Sequence, residues 1–248
     1  MSAFDIYCEL DGELDGSIQC DERMSRHTTF RVGGPAALFI ECATLADISK
    51  VCTVLEQHRM PWAPVGKGSN LLVSDKGCNA AIITLGNEFK PENMLDYKKC
   101  QELAADGDET AVAVSLKGSA RSILNFCRDN DIPVRGHVLV WHSQTPGWFF
   151  KKGYDPEADW VDKETMLGRM ENYIKNVFAV LDEEYPDVNF YAWDVVNEAW
   201  NDGGQPRKAG TYEESGEYSG WVGVFGDNSF IPYAFKYARK YARKDTKL

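Results

Sequence analysis

The stretch Phe190-Tyr-Ala-Trp-Asp-Val-Val-Asn-Glu-Ala-Trp200 constrains the fold more than any other. Its first half is a β-branched and aromatic run led in by Pro186, the composition of a short buried strand. The polar pair Asn197-Glu198 stands where that strand has to stop. In a parallel α/β architecture the carboxyl ends of strands are where ligands meet the protein. That position reads Glu198 as a carboxylate placed for chemistry and Trp200 as an aromatic platform beside it. A solvated loop acid is the other reading of Glu198, because exposed glutamates are common.

Strand-like and helical patterns alternate around this stretch. Residues 36–42, 62–65, 80–85, 132–141 and 188–196 are strand-like runs. Between the first two, residues 46–58 carry Ile48, Val51, Cys52, Val54 and Leu55 at helical spacing. Further on, Ala120, Ile123, Leu124 and Cys127 line one face of a helix, and residues 165–185 form a long amphipathic one. In the latter, Met166, Met170, Tyr173, Ile174, Val177, Phe178 and Leu181 repeat at three and four, a stripe that reads as core. A last helix is expected with Phe230, Ala234, Phe235, Ala238 and Tyr241 on one side. The expected class is α/β, built mainly of parallel βα units, and 248 residues suit one barrel or two modest domains.

A net charge of −11 and a pI near 4.9 speak against a nucleic-acid partner, whose binding needs Lys and Arg to neutralise phosphates. A neutral or weakly charged substrate fits better. No apolar run approaches the roughly 20 residues that span a bilayer, so no membrane role is expected. The first residues carry acids and no basic segment ahead of an apolar one, so the chain as written is expected in the cytosol. All seven cysteines lie between Cys8 and Cys127 with no C-x-x-C pair, which favours reduced, structural thiols and no metal site. Six of the seven tryptophans lie between Trp141 and Trp221. That opposite bias suggests two histories in one polypeptide.

The loop Gly66-Lys-Gly-Ser-Asn-Leu71 closes a β-α-β unit. Its glycines would let backbone N–H groups approach a pyrophosphate, with Ser69 and Asn70 as side-chain donors; a tight turn before another strand is the alternative. Together with Met24-Ser-Arg-His-Thr-Thr-Phe-Arg-Val-Gly-Gly-Pro-Ala36, this loop makes residues 1–86 resemble the N-terminal FAD-binding segment of UDP-N-acetylenolpyruvoylglucosamine reductase. The resemblance implies FAD diphosphate contacts at Gly66, Lys67, Gly68, Ser69, Asn70 and Leu71. That family's second glycine-rich segment, substrate domain and proton-donor motif have no counterpart here, so the flavin site is incomplete and no cofactor is expected, with FAD as the one candidate. A bare β-α-β unit leaves sheet edges and one face uncovered, and a partner from the rest of the chain is expected to complete it.

Asn87-Glu-Phe-Lys-Pro91, Gly136-His-Val-Leu-Val-Trp-His-Ser-Gln-Thr-Pro146 and Trp193-Asp-Val-Val-Asn-Glu-Ala199 follow in that order. On these motifs, residues 87–248 resemble a glycoside hydrolase family 10 endo-β-1,4-xylanase, a (β/α)-barrel enzyme acting on xylan. The resemblance implies Glu198 as acid/base, Asn197 as the neighbour that holds the sugar and the nucleophile, and His142 and Trp148 around the sugar at the cleavage point. It implies Asn87 and Lys90 as contacts to the next sugar. His137 reads as a satisfied strand histidine, and Trp160 and Trp221 as packing. Gly86 stands where the family carries a sugar-binding glutamate. The family's nucleophile motif, Thr-Glu-Leu, is not in this sequence, and Glu213, Glu214 and Glu217 lie in a loop that does not suggest one.

These two resemblances lead to the expectation of a chimera. A flavin-reductase β-α-β segment would replace the opening elements of a partial barrel, with strands 37–41, 62–65, 82–85, 134–140 and 190–196 joined in one run and a fifth barrel strand beginning near 245–248. Open sheet edges would favour self-association. The expected function is a xylan-hydrolase fragment whose activity is weak or lost for want of the nucleophile. An FAD-binding remnant of peptidoglycan precursor synthesis and a non-catalytic carbohydrate-binding protein are the alternatives. The xylanase lineage is usually secreted.

Overall fold

The computed structural model describes residues 2–28, 31–65, 72–84 and 91–248. The loop 66–71 and the candidate residues Asn87 and Lys90 lie outside them. The chain divides into two compact units, Met1–Asn87 and Glu88–Leu248.

In the first unit, helix α1 (Ala3–Leu10) leads into β1 (Ser17–Arg23), followed by β2 (Pro35–Glu41), helix α2 (Leu45–Gln57), β3 (Trp62–Val65) and β4 (Cys78–Thr84). The sheet order is β1-β2-β4-β3. β1 runs antiparallel to β2, with Cys20 opposite Leu38, while β4 pairs in parallel with β2 and β3 and sets Ile82 level with Phe39 and Ala63. The expected β-α-β unit is present, but its two strands are not neighbours, because β4 lies between them. Its completion also comes from nearer than expected. β1 covers the β2 edge and α1 packs against β1, β2 and α2, all within the first 57 residues. A short, mixed-polarity strand such as Ser-Ile-Gln-Cys-Asp-Glu-Arg carries little apolar periodicity, which is why it escaped the sequence reading.

Thr44 and Asp47 close a reciprocal cap on α2. The buried Asp47 carboxylate also accepts from the backbone N–H groups of Asp15 (3.0 Å), Gly16 (3.1 Å) and Ala43 (2.9 Å). Burial pushes this carboxyl up, and the backbone hydrogen bonds outweigh it, holding the group below the usual carboxylate range. One side chain thereby fixes both the helix start and the approach to β1.

The second unit begins with the helical turn α3 (Pro91–Met94), then α4 (Tyr97–Ala105), α5 (Gly118–Asp129), β5 (Val134–Trp141), α6 (Lys163–Glu184) and β6 (Phe190–Asn197). A two-residue pairing of β7 (Lys208–Ala209) with β8 (Tyr218–Ser219) precedes α7 (Gly220–Phe225) and α8 (Ile231–Tyr241). β5 and β6 form a parallel pair of their own, so the expected single run of five strands is split between two sheets. Near the carboxyl end of the chain Lys247 bridges Ala192 in parallel, accepting from Trp193 N–H at 2.8 Å and donating to Tyr191 O at 3.0 Å, where the fifth barrel strand was expected.

The pair is close-packed at Gly136. A Cβ there would fall 2.3 Å from the buried Trp193 ring, so only glycine admits that ring, which also packs on Phe178 and Phe190. α6 buries the whole predicted stripe from Met166 to Leu181. α8 differs in one place: Tyr237 is buried and Phe235 is 41% exposed. Phe235 is five residues past Phe230, too far round a 3.6-residue turn to share the face of Ala234 and Ala238. None of the seven cysteines is in a disulfide, and burial pushes the Cys52 thiol up to about 11. Among the described residues, no helix is long and apolar enough to cross a membrane.

Arg169 sits within the apolar stripe of α6 and is fully buried. Its guanidinium donates to the carbonyls of Glu109 (2.7 Å), Phe149 (2.7 Å) and Lys151 (2.8 Å) and lies 3.7 Å from the centre of the Tyr154 ring. It also pairs with the Glu109 carboxylate at 2.6 Å. Two loops are thereby tied to one helix. Arg169→Met is expected to lower unfolding stability by about 3 kcal/mol or more, since each carbonyl that loses a buried donor costs about 1–3 kcal/mol. The Glu109 side chain is 43% exposed and adds little. Urea unfolding checks this, and a loss under about 1 kcal/mol would show that the loops hold without the arginine.

Candidate active site

β5 ends Val138-Leu-Val-Trp141 and β6 ends Val195-Val-Asn197, and their parallel register pairs Val140 with Val196 and Trp141 with Asn197. Both strands therefore end at one level, and His142 and Glu198 leave them together on the carboxyl side. Glu198 turns sharply there, with φ +50° in the left-handed region that few non-glycine residues adopt. The Trp141 indole N–H donates to Glu198 Oε2 at 2.9 Å. The Trp141 carbonyl accepts from Thr145 Oγ1 (2.7 Å) and the Trp221 indole (3.1 Å), so the indole that holds Glu198 is itself anchored.

Arg207 completes the setting of Glu198. Its Nε donates to the Glu198 carbonyl at 2.7 Å, and its Nη2 lies 4.0 Å from Glu198 Oε2. The arginine side chain is 7% exposed and that of Glu198 34%. Glu198 is thus held through one carboxylate oxygen while a third of its side chain stays exposed. Asn197 is buried, and its Nδ2 has no partner. His142 is buried as well, its Nδ1 has no partner, and the Tyr212 ring meets it edge-on at 6.2 Å. Two unsatisfied buried polar atoms flanking a half-open carboxyl suit a ligand rich in hydroxyl groups.

The remaining sequence candidates are placed as follows. Trp148 lies in the 147–150 turn, its ring 4.8 Å from Tyr97 and 5.8 Å from Tyr154, and partly buried. Trp200 is 51% exposed and bridges Pro206. His137 Nδ1 meets Asp194 Oδ2 at 2.9 Å, and Asp194 also takes Arg135. Burial pushes the Asp194 carboxyl up, and these two partners outweigh it, leaving it below the usual range. Trp221 is buried in aromatic packing, and Trp160 packs on Phe150 under Lys151. Glu213 and Glu214 accept from the backbone N–H groups of Gly147 and Thr211. Among the described residues no group of three His, Cys, Asp or Glu is arranged to hold a metal ion.

Two residues of this arrangement were not singled out from the sequence. Trp141 was legible in principle, since it ends β5 as Asn197 ends β6. Arg207 was not: it stands in a Gly- and polar-rich loop with no periodic pattern, and its burial arises only on folding.

Burial, and secondarily the Arg207 charge, pull the His142 imidazole down to about 4, against a weaker opposing hydrogen bond to the Gly216 backbone. The ring is therefore neutral near neutral pH. The stability this burial provides is full above the ordinary value of about 6.5 and is lost as the pH falls towards 4. An NMR titration of the ring protons is expected to show a midpoint near 4, and a midpoint near 6.5 would contradict the buried, neutral ring.

A family model described as Glycosyl hydrolase family 10 matches residues 56–248, more than half of the chain. Endo-1,4-beta-xylanase Y of Acetivibrio thermocellus is 48% identical over 170 residues, which span 67% of this chain and 15% of that protein. The bifunctional endo-1,4-beta-xylanase XylA of Ruminococcus flavefaciens is 43% identical over 167 residues, 67% of this chain and 16% of that protein. In Clostridium thermocellum, the crystal structure of the CBM22-1 and GH10 modules of endo-1,4-beta-D-xylanase 10B, complexed with xylohexaose, matches with a TM-score of 0.58 at 45% identity. That match covers 66% of this chain and 32% of the solved one. The chain spans less than half the length of each of these relatives. It belongs to glycosyl hydrolase family 10.

Proposed function

We propose that this chain carries the acid/base side of a retaining endo-1,4-β-xylan hydrolysis site, with Glu198 giving its proton to the leaving glycosidic oxygen. The observation that supports it most is the seating of Glu198: a strand-end carboxyl held by Trp141 at 2.9 Å, one third exposed, in a chain of this family. Asn197 and His142 would bind hydroxyls of the sugar at the cleavage point through their open polar atoms, and Trp148 would pack near it. Asn87 and Lys90 would contact the next sugar.

A double displacement also uses a second carboxyl roughly 5–5.5 Å from the first. The family's Thr-Glu-Leu nucleophile motif is not in this sequence. Hydrolysis by this chain is therefore expected to be slower by orders of magnitude than that of a site with both groups. Reducing-sugar release from xylan, measured beside Glu198→Gln and together with xylohexaose binding, tests the reading. Release that disappears in the variant supports Glu198 as the acid/base. Release that persists unchanged rejects that role, and neither release nor binding rejects xylan as ligand. Binding without release favours a non-catalytic carbohydrate-binding role.

A second reading concerns residues 1–86, where a flavin-reductase segment would contact the diphosphate of FAD through Gly66, Lys67, Gly68, Ser69, Asn70 and Leu71. Its support is the unit β2–α2–β3, whose last strand leads at Val65 directly into that loop, and a donor set free of carboxylates. Bound FAD would supply hydride chemistry, and the loop would supply only its seat. On this reading added FAD stays with the protein through desalting as a yellow absorbance band, and colourless protein would remove it.

A further inference from the structure

Arg207 is an arginine with almost no exposure in a stretch of chain that is otherwise polar and largely open. A buried guanidinium stays buried only if its donors are engaged and its charge is answered. Its Nε takes the Glu198 carbonyl at 2.7 Å and its Nη1 the Gly216 carbonyl at 3.4 Å. The carboxylate that pairs with it is Glu198, at 4.0 Å. The same residue thus receives the arginine at both its backbone and its side chain, and that residue stands at φ +50°. A left-handed backbone at a non-glycine residue persists only where its surroundings enforce it. The Nε bond to the carbonyl, with the indole bond to the carboxyl, supplies that enforcement from two sides.

We propose that Arg207 is the positioning residue of this site: by gripping the Glu198 carbonyl it holds the strand-end turn that aims the carboxyl at Trp141. The proposal rests on Glu198 being the working carboxyl, but not on which sugar it serves. Around His142 stand Tyr212, edge-on at 6.2 Å, and the charge of Arg207, which opposes protonation of the ring. Arg207 is a positioning residue and touches no ligand in this scheme.

The test uses the whole chain with Arg207→Met and Arg207→Lys, read by NMR without any sugar. Two signals matter: the Trp141 indole N–H, assigned with Trp141→Phe, and the titration midpoint of His142. Arg207→Met is expected to move the indole signal and to raise the His142 midpoint from about 4 by ~0.5 pH unit or more, since a neighbouring positive charge is gone while burial remains. Arg207→Lys keeps the charge but cannot span two carbonyls with one planar fork, so it should move the indole signal and leave the midpoint in place. A purely structural role would not separate the two signals in this way. An unchanged indole signal and midpoint in Arg207→Met overturn the proposal. If Arg207→Met fails to fold by circular dichroism, an unchanged indole signal in Arg207→Lys overturns it alone. Because neither signal needs substrate, their failure is distinguishable from a failure of the xylan reading, which shows only in sugar release and binding.

Discussion

The register between β5 and β6 is the constraint on which the site depends. Pairing Trp141 with Asn197 brings a tryptophan that ends one strand beside a glutamate that begins the exit from the next. Side chains in a strand alternate between faces, so a slip of one residue would turn every side chain to the other side. The hydrogen bond from indole to carboxyl would then have no geometry to form in. Gly136 and Trp193 fix the register of the first half of the pair, where the ring fills the space that any other residue at 136 would need, and a one-residue shift between His137 and Val140 sets the register in which Trp141 meets Asn197.

Buried polar groups hold the loops around the core. Arg169 reaches three carbonyls from the middle of α6, and Arg207 reaches two from a surface loop. Loops carry backbone groups that no ladder satisfies, and a guanidinium with five donors can answer several at once. The two arginines differ in their carboxylate partners. That of Arg169 is a loop acid, 43% exposed, whereas that of Arg207 is the candidate acid itself, so removing Arg207 would alter stability and the site together. In the first unit Asp47 uses the opposite chemistry for the same end, one carboxylate collecting backbone N–H groups from the start of α2 and the approach to β1.

Periodic apolar pattern determined much of this protein by itself. The stripe of α6, the strands β2 to β6, and the stop at Asn197-Glu198 were all legible, because burial of one face leaves a repeat of two or 3.6 in the letters. The motifs around 136–146 and 193–199 were likewise enough to point to the family. Tertiary structure decided what has no period. It placed β4 between β2 and β3, completed the first sheet with the polar β1, and kept the strands of the two units in separate sheets. It turned Phe235 outward and Tyr237 inward, two positions that stand about 160° apart around a 3.6-residue turn. It also buried Arg169 and Arg207, about which the sequence pattern is silent, because hydrogen bonds made between distant segments repay desolvation only once those segments have met.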